Sequence, residues 1–167
     1  MSQLNYKHQL LIAGALFTLH NIEETIGFSL FVYPTDFPLA IRPQNANAMI
    51  LAICLITIIA LGLIMWANTQ SNELNRKNLL IILVSLFIAN AFFPHILATI
   101  VLQRYFPALI TSIALYLPYS FWILPKLYRS YPKHDQFHQV VIGGLLLGTV
   151  LAVIIHFFVR IFLQFIV

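Results

Sequence analysis

Residues 48–66 read AMILAICLITIIALGLIMW, a run without a single charged side chain. A helix rises 1.5 Å per residue, so about 20 such residues cross a hydrocarbon core roughly 30 Å thick. The stretch therefore reads as a transmembrane helix. Four more runs of similar character flank it, at about Gln9–Val32, Leu79–Gln103, Ala108–Leu127 and Val140 onward. Pro34-Thr35-Asp36-Phe37-Pro38 and Arg42-Pro43 break the chain before the central run, since proline lacks a donor N–H and restricts its predecessor. A polar link from Asn68 to Lys77 follows it, then a tight connection at Arg104-Tyr105-Phe106-Pro107, then a link from Tyr128 to His138. Pro94 and Pro118 fall inside the third and fourth runs.

Composition agrees. The 167 residues are 60% hydrophobic and 8% charged, against about 25% charged in soluble domains. The expected fold is all-α: a polytopic membrane protein, one domain over residues 1–167, built as a bundle of about five transmembrane helices. The net charge of +4 is spread near helix ends and carries no nucleic-acid signature. The lone cysteine, Cys54, cannot form a disulfide within the chain. The first run is too long and too polar for a cleavable signal peptide. Lys7, Arg76, Lys77, Lys126, Arg129 and Lys133 fall on one side, and Arg42, Arg104 and Arg160 on the other. That bias places the amino terminus inside and the carboxy terminus outside.

Within the first run lies His20-Asn21-Ile22-Glu23-Glu24. His20, Glu23 and Glu24 stand at i, i+3 and i+4, on one helix face. A charged group at mid-bilayer costs about 2.5–3.5 kcal/mol, so three ionisable side chains there point to use. Imidazole plus carboxylate suits Zn, Fe or Mn. Two adjacent carboxylates in a dry site share a proton, which suits general acid/base work. The bland alternative is a polar helix-packing cluster. Gly27, at i+7 from His20, would let a neighbour approach closely.

Asn90 and His95 flank Pro94 in the third run. Five residues is a poor same-face spacing on an α-helix, but a local π-bulge would realign the two. His156 is a further candidate ligand on the last run, with Arg160 one turn on. Arg160 could neutralise Glu23 or Glu24, or snorkel to the headgroups. With the first, third and fifth runs parallel, His20, Glu24, His95 and His156 lie roughly 17, 23, 24 and 24 Å along their spans. Polar groups of three helices thus fall in one layer. Tyr116, Pro118, Tyr119, Ser120 and Trp122 could line a cavity on a Pro-kinked helix but read better as ordinary membrane packing. His134 and His138 read as part of a solvated link.

These residues resemble the HXXEE-domain family of small bacterial integral membrane proteins. The same resemblance extends through Asn90-Ala91, His95, Arg104-Tyr105-Phe106-Pro107, Thr111 and Pro118-Tyr119. It implies an integral membrane protein of the bacterial cytoplasmic membrane whose His and Glu pattern suggests an enzyme, with no established reaction. Two departures stand out. The family spaces its second Asn and His by four residues, whereas here the gap is five with Pro94 added. The family's Pro-Gly is Pro107-Ala108 here, so that turn is expected not to need positive φ.

The expected function is a membrane-embedded enzyme acting on a lipidic substrate. His20, Glu23, Glu24, Asn90 and His95 form the catalytic set, and His20, Glu24, His95 and His156 the candidate ligands of a divalent metal. Hydrolysis and acid–base isomerisation both fit. The rivals are a proton- or ion-coupled transporter, for which a homo-oligomer would supply the second half that such folds need, and a non-catalytic assembly protein. Besides membrane lipids, no macromolecular partner is implied.

Overall fold

The computed structural model describes residues 5–30 and 46–161, with side chains through Ile154. Those residues form five helices and no strand. The helices are α1 (Tyr6–Leu30), α2 (Ala46–Thr69), α3 (Glu73–Leu102), α4 (109–129) and α5 (His134–Ile161). The Pro-rich connection and Arg42 lie outside the described residues, as do the side chains of His156 and Arg160.

Three segments are long and apolar enough to cross a membrane. They are Ala46–Thr69, Glu73–Leu102 and His134–Ile154, with mean hydropathy 2.9, 2.2 and 2.1. α1 has the length, but His20, Asn21, Glu23 and Glu24 lower its hydropathy. α4 is not one regular helix. Leu109–Thr111 leads into a π-helical segment, Ser112–Tyr116, and only then into Leu117–Arg129.

Two boundaries differ most from the sequence reading. α3 starts at Glu73, not near Leu79, because the Asn72 side chain caps it by accepting from the N–H groups of Leu74 (2.9 Å) and Asn75 (3.4 Å). α5 starts at His134, so His134 and His138 are helical and not part of a solvated link. Asp135 complements the helix dipole there. The His134 ring stacks on Tyr128 at 4.2 Å.

α3 is the hub, packing against α5, α1 and α4. Its closest partner is α5, and small residues explain why. A Cβ on Gly144 would lie 2.7 Å from Ser85 Cβ and 3.0 Å from the Ile82 carbonyl oxygen, and one on Gly148 would lie 3.0 Å from Ala89 Cβ. Gly144 and Gly148 thus form a small-xxx-small seam that lets the two backbones meet. Gly14 does the same for α1 against Ile64 of α2. Pairings along the bundle set the directions. Phe17 meets Phe87 and His20 meets Asn90, so α1 and α3 are parallel. Gly144 and Gly148 against Ser85 and Ala89 make α5 parallel too. Asn21 donates to Thr57 at 2.6 Å, and Ser120 to the Val84 carbonyl at 3.0 Å, in antiparallel α2 and α4.

The far end of the bundle is tied by polar contacts. Lys77 Nζ donates to the Ser130 carbonyl at 2.8 Å and lies 4.9 Å from the Tyr6 ring centroid. Tyr131 donates to Asn78 Oδ1 at 2.6 Å. The helices' outer faces remain apolar: Ile58, Met65, Trp66, Ile100 and Val101 are each at least 61% exposed. Monomeric soluble proteins rarely display such a surface.

Candidate functional site

The polar residues of α1 meet two interrupted helices. In α3, Ala91–Ile96 is π-helical, with Phe93 leaving helical geometry at φ −130°, ψ 115° ahead of Pro94. A π turn takes one extra residue, so i and i+5 share a face. Asn90 and His95 accordingly converge, Asn90 Nδ2 lying 3.4 Å from His95 Nε2. The five-residue gap between Asn90 and His95 is closed by this bulge. In α4 the Ser112–Tyr116 π segment brings Thr111 and Tyr116 to one side in the same way. π-bulges of this kind cluster at functional sites, and here two face the same histidine.

His20 is fully buried and contacted all round. Its ring stacks on Tyr116 (4.2 Å, 18°) and meets His95 edge-on (4.8 Å, 76°). Tyr116 in turn stacks on Phe87 at 4.0 Å, which continues the core beneath the site. His20 Nδ1 lies 3.0 Å from Thr111 Oγ1, and His20 Nε2 lies 2.9 Å from Asn90 Nδ2. The tautomer follows from the network. Asn90 Nδ2 can only donate, so His20 Nε2 accepts, and the neutral ring carries its proton on Nδ1, which donates to Thr111 Oγ1. That leaves His20 Nε2 with its lone pair, facing the Asn90 amide and His95.

The two glutamates part company. Glu24 Oε1 stands 3.9 Å from His95 Nε2. His20, Glu24 and His95 each place one ligand atom within 4.8 Å of the others. Donors of a tetrahedral zinc site with bonds near 2.0–2.1 Å stand roughly 3.4 Å apart, so a small inward movement would close this set on an ion. Glu23 turns instead to the start of α4. Its Oε1 accepts from the Tyr105 hydroxyl (2.6 Å) and Ile110 N–H (3.1 Å), and its Oε2 from Thr111 N–H (2.7 Å). A carboxylate against the first N–H groups of a helix is electrostatically favoured. Glu23 thereby holds Thr111 where it meets His20. Burial, and then the Glu23 carboxylate, push the Tyr105 phenol up to about 12.

The Pro107-Ala108 turn corrects the sequence reading. Ala108 takes φ 62°, ψ 15°, the left-handed region that alanine enters only at a cost. The Glu23 bonds to Ile110 and Thr111 hold it there, together with Ser112 N–H donating to the Ala108 carbonyl at 3.1 Å. Gly27 serves the same corner: a Cβ on it would lie 2.6 Å from Pro107 Cβ.

Of the predicted residues, His20, Glu24, Asn90 and His95 form one cluster and Glu23 lies beside it, directed elsewhere. The His156 side chain lies outside the described residues. Sequence reasoning assigned no role to Thr111 or Tyr105 and read Tyr116 as packing. Their positions depend on the π segments and the turn, which side-chain periodicity does not announce. The Tyr116 hydroxyl is buried with no hydrogen-bond partner among the described residues.

Comparison with known proteins places this chain in a family. An uncharacterized protein of Bacillus subtilis (strain 168), YrkK, is 28% identical over 141 residues, which span 83% of this chain and 85% of the relative. No solved structure matches. The model of a family described as a protein of unknown function with HXXEE motif matches residues 11–123, which include every member of the described cluster. The chain belongs to the HXXEE family.

Proposed function

We propose that the protein is a membrane-embedded metalloenzyme acting on a lipidic substrate. His20, Glu24 and His95 would hold a divalent ion, Zn, Fe or Mn. One observation carries the reading: these three side chains, from α1 and α3, bring their ligand atoms within 4.8 Å of one another, and both rings are fully buried. Imidazole and carboxylate donors suit those ions. Such an ion would supply a Lewis acid for a carbonyl or phosphoryl oxygen.

The chain's own residues have separable tasks. Thr111 fixes the His20 tautomer, as outer partners of metal-bound histidines do. Asn90 Nδ2 contacts both Nε2 atoms and would yield them to the ion, since one lone pair cannot serve both. Glu24 is placed to hold or pass a proton. Tyr116, Phe87 and Phe17 close the inner side against water.

The membrane setting is supported by the three long apolar helices and the exposed apolar faces. On this reading α1 and α4 complete five spans. The basic side with Lys7, Arg76, Lys77, Lys126, Arg129 and Lys133 is cytoplasmic, and the membrane is the bacterial cytoplasmic membrane.

The test is elemental analysis of the full chain, purified in detergent without chelator, beside His20→Ala and Glu24→Gln. About one Zn, Fe or Mn per chain, lost in both variants, is the expected result. An absence of all three ions, with no uptake on adding them back, overturns the metal reading and leaves the 3.9 Å Glu24–His95 pair as a site for proton chemistry alone.

A further inference from the structure

A cavity of about 380 Å3 runs between α1, α2, α3 and α5. Its volume falls within the range of small-molecule sites, about 300–1,000 Å3. Its position and shape are more informative than its size. Along α3 its wall extends from Leu79 to Pro94, fifteen residues, or roughly 22 Å at the helical rise. Spread over that length, the volume makes an elongated apolar channel whose shape suits an extended hydrocarbon chain. The walls are aliphatic almost throughout, and the polar side chains on them are Asn21, Glu24 and Asn90. Asn21 is engaged with Thr57. Glu24 and Asn90 belong to the candidate metal cluster. They sit near one end, and the apolar arm from Asn90 down to Leu79 measures roughly 16 Å. That is about half of a hydrocarbon core roughly 30 Å thick, or one leaflet.

We infer that this channel binds a single linear hydrocarbon chain of one lipid molecule, with its first polar group against Glu24 and Asn90 and its tail running along α3 toward Leu79. The inference rests on the reading of His20, Glu24 and His95 as the reacting end, and it names the substrate class: a single-chain acyl or prenyl lipid with its labile group one leaflet's depth from the tail tip. Four helices contribute walls, so chain length is read by the apolar arm along α3 and not by a headgroup pocket. The polar end favours a lipid whose polar group lies next to the chain, because Glu24 and Asn90 line the cavity there.

The experiment is photolabelling of the full-length protein in nanodiscs. The probes are a 16-carbon fatty acid with a diazirine at its methyl end and a farnesol analogue with a diazirine at its terminal isoprene unit. Labelled peptides are mapped by mass spectrometry, with the unlabelled lipids as competitors. Saturable labelling at Leu79, Ile82 or Leu83 is expected, by one probe or both, and the stronger probe assigns the chain as acyl or prenyl. Ala60, on the α2 wall, is half-buried against the core. Ala60→Trp should cut labelling by the 16-carbon probe about tenfold and leave an 8-carbon probe unaffected. If that variant fails to fold, Leu63→Phe gives a smaller shift in the same direction. Labelling confined to outward residues such as Ile58 and Ile100, or insensitive to competitor, overturns the inference. So do crosslinks between two copies of the chain in place of lipid adducts. Metal content measured on the same samples separates the two readings. Metal without channel labelling sinks the channel alone, and channel labelling without metal sinks the metal centre alone.

Discussion

The two adjacent acids of the motif invite a direct comparison, Glu23→Gln against Glu24→Gln. Glu23 accepts three hydrogen bonds at 2.6, 3.1 and 2.7 Å. Each bond to a charged acceptor contributes about 1.5–3 kcal/mol when shielded. Glutamine retains one carbonyl oxygen, which can keep the Tyr105 and Ile110 bonds. Its NH2 then faces the Thr111 N–H, so that bond is lost and two donors confront each other. Glu23 is only half-buried and water recovers part of the loss, leaving roughly 1–2 kcal/mol. For a chain of this size 1 kcal/mol moves the melting temperature by about 2–4 °C, so Glu23→Gln should melt roughly 2–8 °C lower. Glu24 lies 3.9 Å from His95 Nε2, outside hydrogen-bond range, and Glu24→Gln should stay within about 2 °C of wild type in metal-free protein. The assay is thermal unfolding of purified protein in one detergent with chelator present, followed by intrinsic fluorescence. Equal melting temperatures for wild type and Glu23→Gln, or a larger drop for Glu24→Gln, would refute the division of labour between the two acids.

Other expectations follow from single positions. Ala108→Gly removes the left-handed alanine, worth about 1–2 kcal/mol, at a chain-entropy cost of about 0.5–1 kcal/mol, so the melting temperature should rise by roughly 1–4 °C; a decrease would argue against positive φ at this turn. Gly144→Val forces a Cβ to within 3.0 Å of the Ile82 carbonyl oxygen, which cannot be relieved by a side-chain rotation. It should destabilise the protein by at least about 1–3 kcal/mol, whereas Gly62→Ala, with open space around it, serves as the neutral control. Tyr105, whose phenol is held up at about 12 in the folded chain against about 10 unfolded, contributes stability that is complete below about pH 10 and lost as pH rises through 12. Melting temperatures followed from pH 9 to 11.5 should fall more steeply in wild type than in Tyr105→Phe, and parallel curves would rule Tyr105 out as the titrating group.

The helices and their order were readable from the linear chain because apolar runs about 20 residues long alternate with polar or Pro-rich links, and run length is a one-dimensional property. The His20, Glu23 and Glu24 cluster was readable for the same reason: ionisable groups within such a run carry a cost that composition alone exposes. Boundaries moved where a local side-chain bond intervened, as at the Asn72 cap. The roles inside the cluster were not readable. Adjacent Glu23 and Glu24 differ by 100° around a helix, which is enough to send one to the Ala108 turn and the other to His95, and only the packing of α3 and α4 against α1 says which. The pairing of Asn90 with His95 depends on a π turn, and that of Thr111 and Tyr116 with His20 on another. A π turn redirects side chains by changing one hydrogen-bond partner per residue, and the residues that accept this change look the same in sequence as those that do not. The left-handed Ala108 makes the point most sharply: intrinsic preference argues against that conformation, and three bonds from a residue 85 positions earlier in the chain override it.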